Sequence, residues 1–278
     1  MPEFSAPAKL NLTLEVLRRR PDGYHEIRSV IQAIDLCDTI WLEPAEDIHL
    51  QCSEPALQSS DNLAYRAASL LREAPGGGKG ALVRLEKRIP LASGLGGGSS
   101  DAAAVLLGLN ELWGLALPLE RLEALAARLG SDVPFFLHRG AALVEGRGER
   151  VTPLPPPPEF WAVLLRPTLP AISQKTQTLY NSLRAASFTG GEFSQRLVES
   201  LRRGSGLAPS LLFNVFESIA FEVYPDLEGY QKRLLASGAG SVHLAGSGPV
   251  LFTLAEGKSQ AEEICGSLRR QGMEAYTA

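Results

Sequence analysis

The sequence predicts an α+β protein of two domains. Three observations carry this. Runs of period two interleave with runs of helical period along the 278 residues. At roughly 150 residues per domain, that length suits two domains. The run Pro155-Pro156-Pro157-Pro158 is stiff and continues neither helix nor sheet, and a fresh pattern follows it. A long surface loop is the plainer reading of the prolines. We place the domains at residues 1–154 and 159–278.

The elements follow in order. Leu10, Leu12, Leu14 and Val16 alternate with Lys9, Asn11, Thr13 and Glu15, which predicts a strand with one core face. Its other face sets Lys9, Asn11 and Thr13 in a row about 7 Å apart. A strand is expected over Asp35–Leu42. Asp61-Asn62 caps a helix to about Glu73, stopped by Pro75-Gly76-Gly77-Gly78. Val83, Leu85, Lys87 and Ile89 alternate with Leu82, Arg84, Glu86 and Arg88 as another strand. A glycine loop and a helix from about Ser100 to Trp113 come next. Pro118 opens a helix that Gly130 ends. Ala141–Glu145 and Arg150–Leu154 read as strands about a Gly146-Arg147-Gly148 turn.

Beyond the prolines, Trp161–Arg166 reads as a strand. Helices are expected near Gln174–Leu183, Glu192–Arg203, Val215–Val223 and Pro225–Ser237. Two short strands, Ser241–Ala245 and Val250–Leu254, flank Gly246-Ser247-Gly248. A helix near Ser259–Gln271 and a terminal strand close the chain. Strand, helices, hairpin, helix, strand is the order of a split α/β sandwich of ferredoxin-like kind.

Composition narrows the function classes. The chain has 27 Lys+Arg against 31 Asp+Glu, a formal charge of −4, so general nucleic-acid or anionic-membrane binding is not expected. It is 45% hydrophobic and 21% charged, an ordinary soluble composition. Three dispersed cysteines without a CxxC pair suit a reduced, cytoplasmic protein. Four histidines show no HxxxH pairing, so no residue is assigned as a metal ligand. The N-terminus has no signal-peptide pattern, and the apolar stretch Ala102–Leu119 reads as a buried helix because Asn110, Glu111 and Pro118 break it.

The sharpest feature is Pro90-Leu91-Ala92-Ser93-Gly94-Leu95-Gly96-Gly97-Gly98-Ser99-Ser100-Asp101-Ala102-Ala103, between a strand and an alanine-rich helix. Glycine lets backbone approach a ligand, and a helix start offers unpaired N–H groups and a positive dipole end. Together these make a phosphate cradle, to which Ser99 and Ser100 add hydroxyls. The segment lacks the last glycine of GxGxxG and the lysine of a Walker loop. A plain flexible loop is the alternative.

Here the chain resembles the GHMP kinase superfamily, whose central motif Pro-x3-Gly-Leu-x-Ser-Ser-Ala this segment matches in a glycine-expanded form. Ala6-Pro7-Ala8-Lys9-Leu10-Asn11-Leu12 is similar to the first family motif, and Leu244-Ala245-Gly246-Ser247-Gly248-Pro249 to the third. Pro249 departs from the pattern and removes one N–H donor. Pro21-Asp22-Gly23-Tyr24-His25 and Gly130-Ser131-Asp132-Val133-Pro134-Phe135-Phe136 narrow the resemblance to the branch acting on a cytidine-diphosphate-linked methylerythritol in non-mevalonate isoprenoid synthesis. The likeness runs from about Phe4 to Phe252 and weakens between Arg184 and Pro209.

The resemblance implies a ribosomal protein S5 domain 2-like N-terminal domain and a ferredoxin-like C-terminal one. It implies that ATP, with Mg2+, gives its γ-phosphoryl group to the acceptor's 2-hydroxyl. Asp132 would take the hydroxyl proton and Lys9 would orient and charge the site. Asn11 would bind substrate, Tyr24 stack on cytosine and His25 bond its edge. Tyr180, four residues after Thr176, would cover the other face. Asn62 would touch the adenine end, and Gly246 and Ser247 would support the acceptor's phosphates. Mg2+ would be held mainly by ATP, waters and Ser100. Plainer readings stand beside these: Asp132 and Asn62 as helix caps, Lys9 as an edge lysine, Pro21–His25 and Gly246–Gly248 as hairpin turns. Another GHMP small-molecule kinase and a non-catalytic ligand sensor are the alternative functions. A monomer or weak homodimer is expected.

Overall fold

The alternating N-terminal run forms two strands, β1 (Glu3–Asn11) and β2 (Thr13–Arg19), that break at Leu12. In this computed structural model, residues 2–170, 172 and 174–278 are described. A 21-residue strand, β3 (His25–Ala45), is the spine of the first sheet. β4 (Ile48–Cys52) precedes helix α1 (Leu63–Arg72), and β5 (Gly80–Glu86) follows it. Helices α2 (Gly97–Leu112), α3 (Leu119–Leu129) and α4 (Val133–His138) lead to β6 (Ala141–Gly146) and β7 (Arg150–Leu154). β1, β2, β5 and β6 all pair antiparallel with β3; β4 joins β5 in parallel and β7 joins β6. The four helices bury their apolar sides against this sheet around Ile40, Leu42, Val83 and Leu106. α2 is buried almost all round, as the alanine-rich stretch predicts.

The proline run links β7 of the first sheet to β8 (Trp161–Arg166) of a second. Then come α5 (Lys175–Ser182), α6 (Glu192–Arg202), β9 (Phe213–Asn214), α7 (Glu217–Val223), α8 (Leu227–Ala236), β10 (His243–Leu244), β11 (Leu251–Ala255), α9 (Lys258–Arg270) and β12 (Glu274–Thr277). The second sheet is antiparallel in the order β10-β11-β8-β12. Successive residues of β8 face opposite ways. Val163 and Leu165 pack under α5, α7, α8 and α9, while Ala162 and Leu164 meet Leu10, Leu12 and Val30 of the first sheet. The two sheets therefore share a core, and the site lies along their junction.

Several expectations are corrected. The polar residues of the first strand are as buried as its apolar ones: Thr13 and Glu15 lie against the start of α6, and Lys9 and Asn11 against Gly246. Glu15 accepts from the N–H groups of Phe193 (3.3 Å) and Ser194 (2.7 Å), so a buried carboxylate satisfies the orphan donors at the start of α6. The strand expected at Asp35–Leu42 is one part of β3, whose length the local pattern hides because different partners cover its two ends. β4 and β9 were not foreseen; two residues are too few for β9 to show a period, whereas in β4 Ile48, Leu50 and Cys52 do alternate with His49 and Gln51. α2 begins at Gly97 rather than Ser100, so Gly97, Gly98 and Ser99 belong to the helix's first turn. Among the described residues, no helix is long and apolar enough to cross a membrane.

Candidate active site

Four segments converge on Lys9. Its backbone N–H donates to the carbonyl of Leu95 (2.9 Å), which ties β1 to the glycine segment. Its Nζ donates to Asn11 Oδ1 (2.5 Å) and lies 3.6 Å from Asp132 Oδ2. Asn11 Nδ2 in turn donates to Ser29 Oγ (2.8 Å), and Ser29 Oγ to the carbonyl of Thr13 (2.5 Å). Thr13 Oγ1 accepts from Val30 N–H (2.8 Å). Every member of this polar row is satisfied, which fixes the lysine's position in a buried strand. Lys9 is no edge lysine: its side chain is 5% exposed, whereas that of Asp132 is 40% exposed. Asp132 precedes α4 but its carboxylate caps nothing, so it is free to face a ligand.

The glycine segment and the C-terminal turn interlock. A Cβ at Gly94 would sit 2.0 Å from the carbonyl oxygen of Ala245, and one at Gly246 would sit 2.8 Å from that of Gly94 and 3.2 Å from Lys9 Nζ. Both glycines have positive φ. Asn214 Nδ2 holds the turn by donating to the carbonyls of Leu244 and Gly246, each at 2.8 Å. The Gly248–Pro249 peptide is cis. The hairpin reading of Gly246–Gly248 thus covers only half of what it does; it also abuts Lys9.

The start of α2 presents the N–H groups of Gly97, Gly98 and Ser99, which have no partner within the helix. Ser100 Oγ is buried and without a hydrogen-bond partner among the described residues. Its hydroxyl fits the group expected beside a nucleotide's magnesium ion. No three His, Cys, Asp or Glu side chains converge as a protein-only metal site among the described residues.

Asn62 caps α1. Its Oδ1 accepts from Ala64 N–H (2.9 Å) and its Nδ2 donates to the carbonyl of Leu57 (3.0 Å). The first bond is the helix cap and the second ties it to the preceding loop, so both polar groups are engaged within the chain. The α1 start lies against α2, since a Cβ at Gly98 would meet Leu63 Cδ1 at 3.8 Å.

Tyr24 follows its turn 53% exposed, with the Arg147 guanidinium 4.8 Å over its ring. Asp22 holds the turn by accepting from Tyr24 N–H (3.1 Å). His25 and Tyr180 are brought together across the two sheets, stacked at 4.9 Å and 19°. The structure therefore places Tyr180 against the imidazole, where the sequence reading had it opposite Tyr24. Burial, and then the charge of Arg19, lower the His25 pKa and so favour the neutral ring, which has one donor and one acceptor nitrogen. Burial and the charge of Asp132 raise that of Tyr180. Thr176 Oγ1 lies 3.1 Å from Ser247 Oγ, joining α5 to the 246–248 turn.

One cluster was not read from the sequence. Lys87 Nζ is buried between Asp38 and Asp101, at 2.6 Å from Asp101 Oδ2. Asp38 Oδ1 also accepts from the N–H groups of Arg88 and Ile89. The trio lies under the first turn of α2, with Lys87 Nζ 3.3 Å from where a Cβ on Gly97 would be. Burial pushes Asp101 up to about 8. A signal was present: Lys87 shares the inward register of Val83, Leu85 and Ile89.

Comparison with known proteins agrees in family and fold. The family described as GHMP kinases N terminal domain matches residues 62–140, and GHMP kinases C terminal matches residues 194–273. A 4-diphosphocytidyl-2-C-methyl-D-erythritol kinase of Dehalococcoides mccartyi is 50% identical over 271 residues, 98% of this chain and 95% of that protein. One from Symbiobacterium thermophilum is 44% identical over 278 residues, covering 99% and 98%. A crystal structure of 4-(cytidine 5'-diphospho)-2C-methyl-D-erythritol kinase superposes with TM-score 0.84 at 40% identity, covering 99% and 98%. Homoserine kinase from Cytophaga hutchinsonii superposes with TM-score 0.77 at 19% identity, covering 99% and 93%, a likeness of fold.

Proposed function

The chain belongs to the GHMP kinases and, within them, to the 4-diphosphocytidyl-2-C-methyl-D-erythritol kinases, and from that premise we propose how its residues divide the work. It is an ATP-dependent kinase with an alcohol acceptor, 4-diphosphocytidyl-2-C-methyl-D-erythritol, in the non-mevalonate isoprenoid pathway. The γ-phosphoryl group passes to the acceptor's 2-hydroxyl. An O–P bond forms there, the bond from the γ-phosphorus to the bridging oxygen breaks, and ADP leaves. Phosphoryl transfer of this kind needs positioning and charge neutralisation more than covalent help.

Asp132 takes the hydroxyl proton. Lys9 holds that carboxylate in place and directs its remaining N–H groups at the transferring phosphoryl group. The observation that carries this reading is the Lys9–Asp132 pair, 3.6 Å apart beside the start of α2. The triphosphate lies along Pro90–Ser100, against the free N–H groups of the α2 start. Mg2+, when bound with ATP, would supply further neutralisation of the phosphate charge, and Ser100 Oγ, buried and without a partner among the described residues, would be the side-chain group to hold it. Asn62 and the neighbouring start of α1 border the adenine end. Cytosine stacks on Tyr24. His25 bonds the base edge and Tyr180 backs it. Asn11, Thr176, Gly246 and Ser247 line the path between base and hydroxyl. Residues 1–154 form the ATP-binding domain and 159–278 the C-terminal one. The enzyme works in the cytoplasm as a monomer or weak homodimer.

A coupled assay for ADP with purified chain and a panel of acceptors tests this. The cytidylyl acceptor should turn over, and homoserine and mevalonate should not. Turnover of either of those in its place would overturn the acceptor assignment. ATP binding with no ADP formed from any acceptor would point to a ligand sensor.

A further inference from the structure

Lys175 has no part in the scheme above. It opens α5, directly before Thr176. Its Nζ donates to the carbonyl oxygen of Ala92 (2.8 Å) and to that of Gly248. It thus spans the gap between the glycine segment and the 246–248 turn, half-buried. No carboxylate compensates it among the described residues, and the charge it feels is another cation, Lys9. Two lysines directed at one cleft, one of them without a counter-charge, is an unfavourable arrangement in isolation and a favourable one for an anion. Two carbonyls occupy two of the three protons of Lys175; the third is free.

Its place along α5 identifies the anion. Tyr180 lies five residues further on the same helix, about 7.5 Å along the axis at 1.5 Å per residue. That is about the reach from a pyrimidine ring, across its ribose, to a 5'-diphosphate. Lys175 stands at the other end of that span, next to the Thr176–Ser247 contact and near Lys9.

We propose that Lys175 binds the diphosphate bridge of the cytidine-bearing acceptor, between the Tyr180–His25 stack and the Lys9–Asp132 pair. The proposal rests on the kinase reading above. Burial, and then the charge of Lys9, push the Lys175 ammonium down to about 8. The other titratable groups around it are Lys9 itself, Asp132 paired with Lys9, His25, whose pKa is lowered, and Tyr180 and Tyr224, both raised by burial. An arriving diphosphate favours the charged ammonium, so binding takes up a fraction of a proton near pH 8.

Calorimetric titration of cytidine 5'-diphosphate into the full chain at pH 8, in two buffers of different ionisation enthalpy, tests this. The wild-type chain should take up a measurable fraction of a proton. Lys175→Met should take up none and bind at least about tenfold more weakly. Lys175→Arg should bind within about threefold of wild type yet take up none, because guanidinium does not titrate there. KM for ATP should stay within about twofold in both variants. Should Lys175→Met fail to fold, the proton count of Lys175→Arg still decides. Undiminished uptake in Lys175→Arg, unchanged diphosphate affinity in Lys175→Met, or equal losses for ATP and diphosphate would overturn the proposal and leave a lysine that only straps two loops. A wild-type chain that turns over the acceptor while the variants behave as wild type sinks the lysine proposal alone. A wild-type chain that neither binds the diphosphate nor turns over the acceptor sinks the kinase reading too.

Discussion

Replacing Gly94 with alanine tests whether the glycine segment and the C-terminal turn must touch. The added Cβ would sit 2.0 Å from the Ala245 carbonyl oxygen, where ordinary contact begins at 3.4 Å, so the two backbones must part by about 1.4 Å. The residue also has φ +89, which costs a side-chain-bearing residue about 1–2 kcal/mol. Displacing packed backbone adds about 1–3 kcal/mol. The total is about 2–5 kcal/mol, released in part by separating the turn from the loop. A shift of about 1 Å in a positioned site lowers the rate about 10²-fold. Gly114→Ala is the control: φ is +66 there, but nothing lies within 4 Å of the new Cβ. It should cost about 1 kcal/mol of strain and leave kcat unchanged. The assay is ADP release for kcat, with thermal melts of both variants. A Gly94→Ala enzyme with kcat within threefold of Gly114→Ala would refute the requirement for contact between the two turns.

Other outcomes follow from the same geometry. Asn62→Ala should lower the unfolding free energy by about 1 kcal/mol in urea, since its Oδ1 caps α1 and its Nδ2 ties that cap to Leu57; an unchanged midpoint would show the cap to be dispensable. Glu15→Gln should cost about 1–2 kcal/mol, because one of the two acceptors at the α6 start becomes a donor and the charge facing the helix dipole is lost. Asp101 has a folded pKa near 8 against 3.8 for the free group, so the folded chain keeps a proton that the unfolded chain has released. Its contribution to stability therefore falls as pH climbs from 3.8 towards about 8. Asp101→Asn should come closest to wild type at about pH 4 and exceed it increasingly towards about pH 8 in denaturant melts; a constant difference across that range would contradict the buried-trio account.

The residues that the structure gathers at the candidate site were the most legible part of the sequence. Lys9, Asp132 and the glycine segment carry their identity in short motifs, because a phosphate cradle needs small residues beside a helix start. Asn62 was legible as a cap for the same local reason. What the sequence hid was non-local. The alternation Lys9–Glu15 looks like a half-solvated strand until α6, some 180 residues on, covers Thr13 and Glu15 and the 246–248 turn covers Lys9 and Asn11. Glycines 97 and 98 read as loop because glycine is a poor helix former, yet they are the first turn of α2. Lys175 looks like any surface lysine on a short helix; its two carbonyl partners come from Ala92 and Gly248, segments that only the tertiary fold brings together. Lys87 could have been found, since a lysine in a row of inward apolar residues needs a partner.

The central claim is that Asp132, standing clear of the helix cap and 3.6 Å from Lys9, accepts the proton of the acceptor hydroxyl. The most direct measurement is the single-turnover rate of Asp132→Ala with saturating ATP and cytidylyl acceptor. The account predicts a fall of at least about 10²-fold with little change in ATP affinity. A rate within a few-fold of wild type would contradict it.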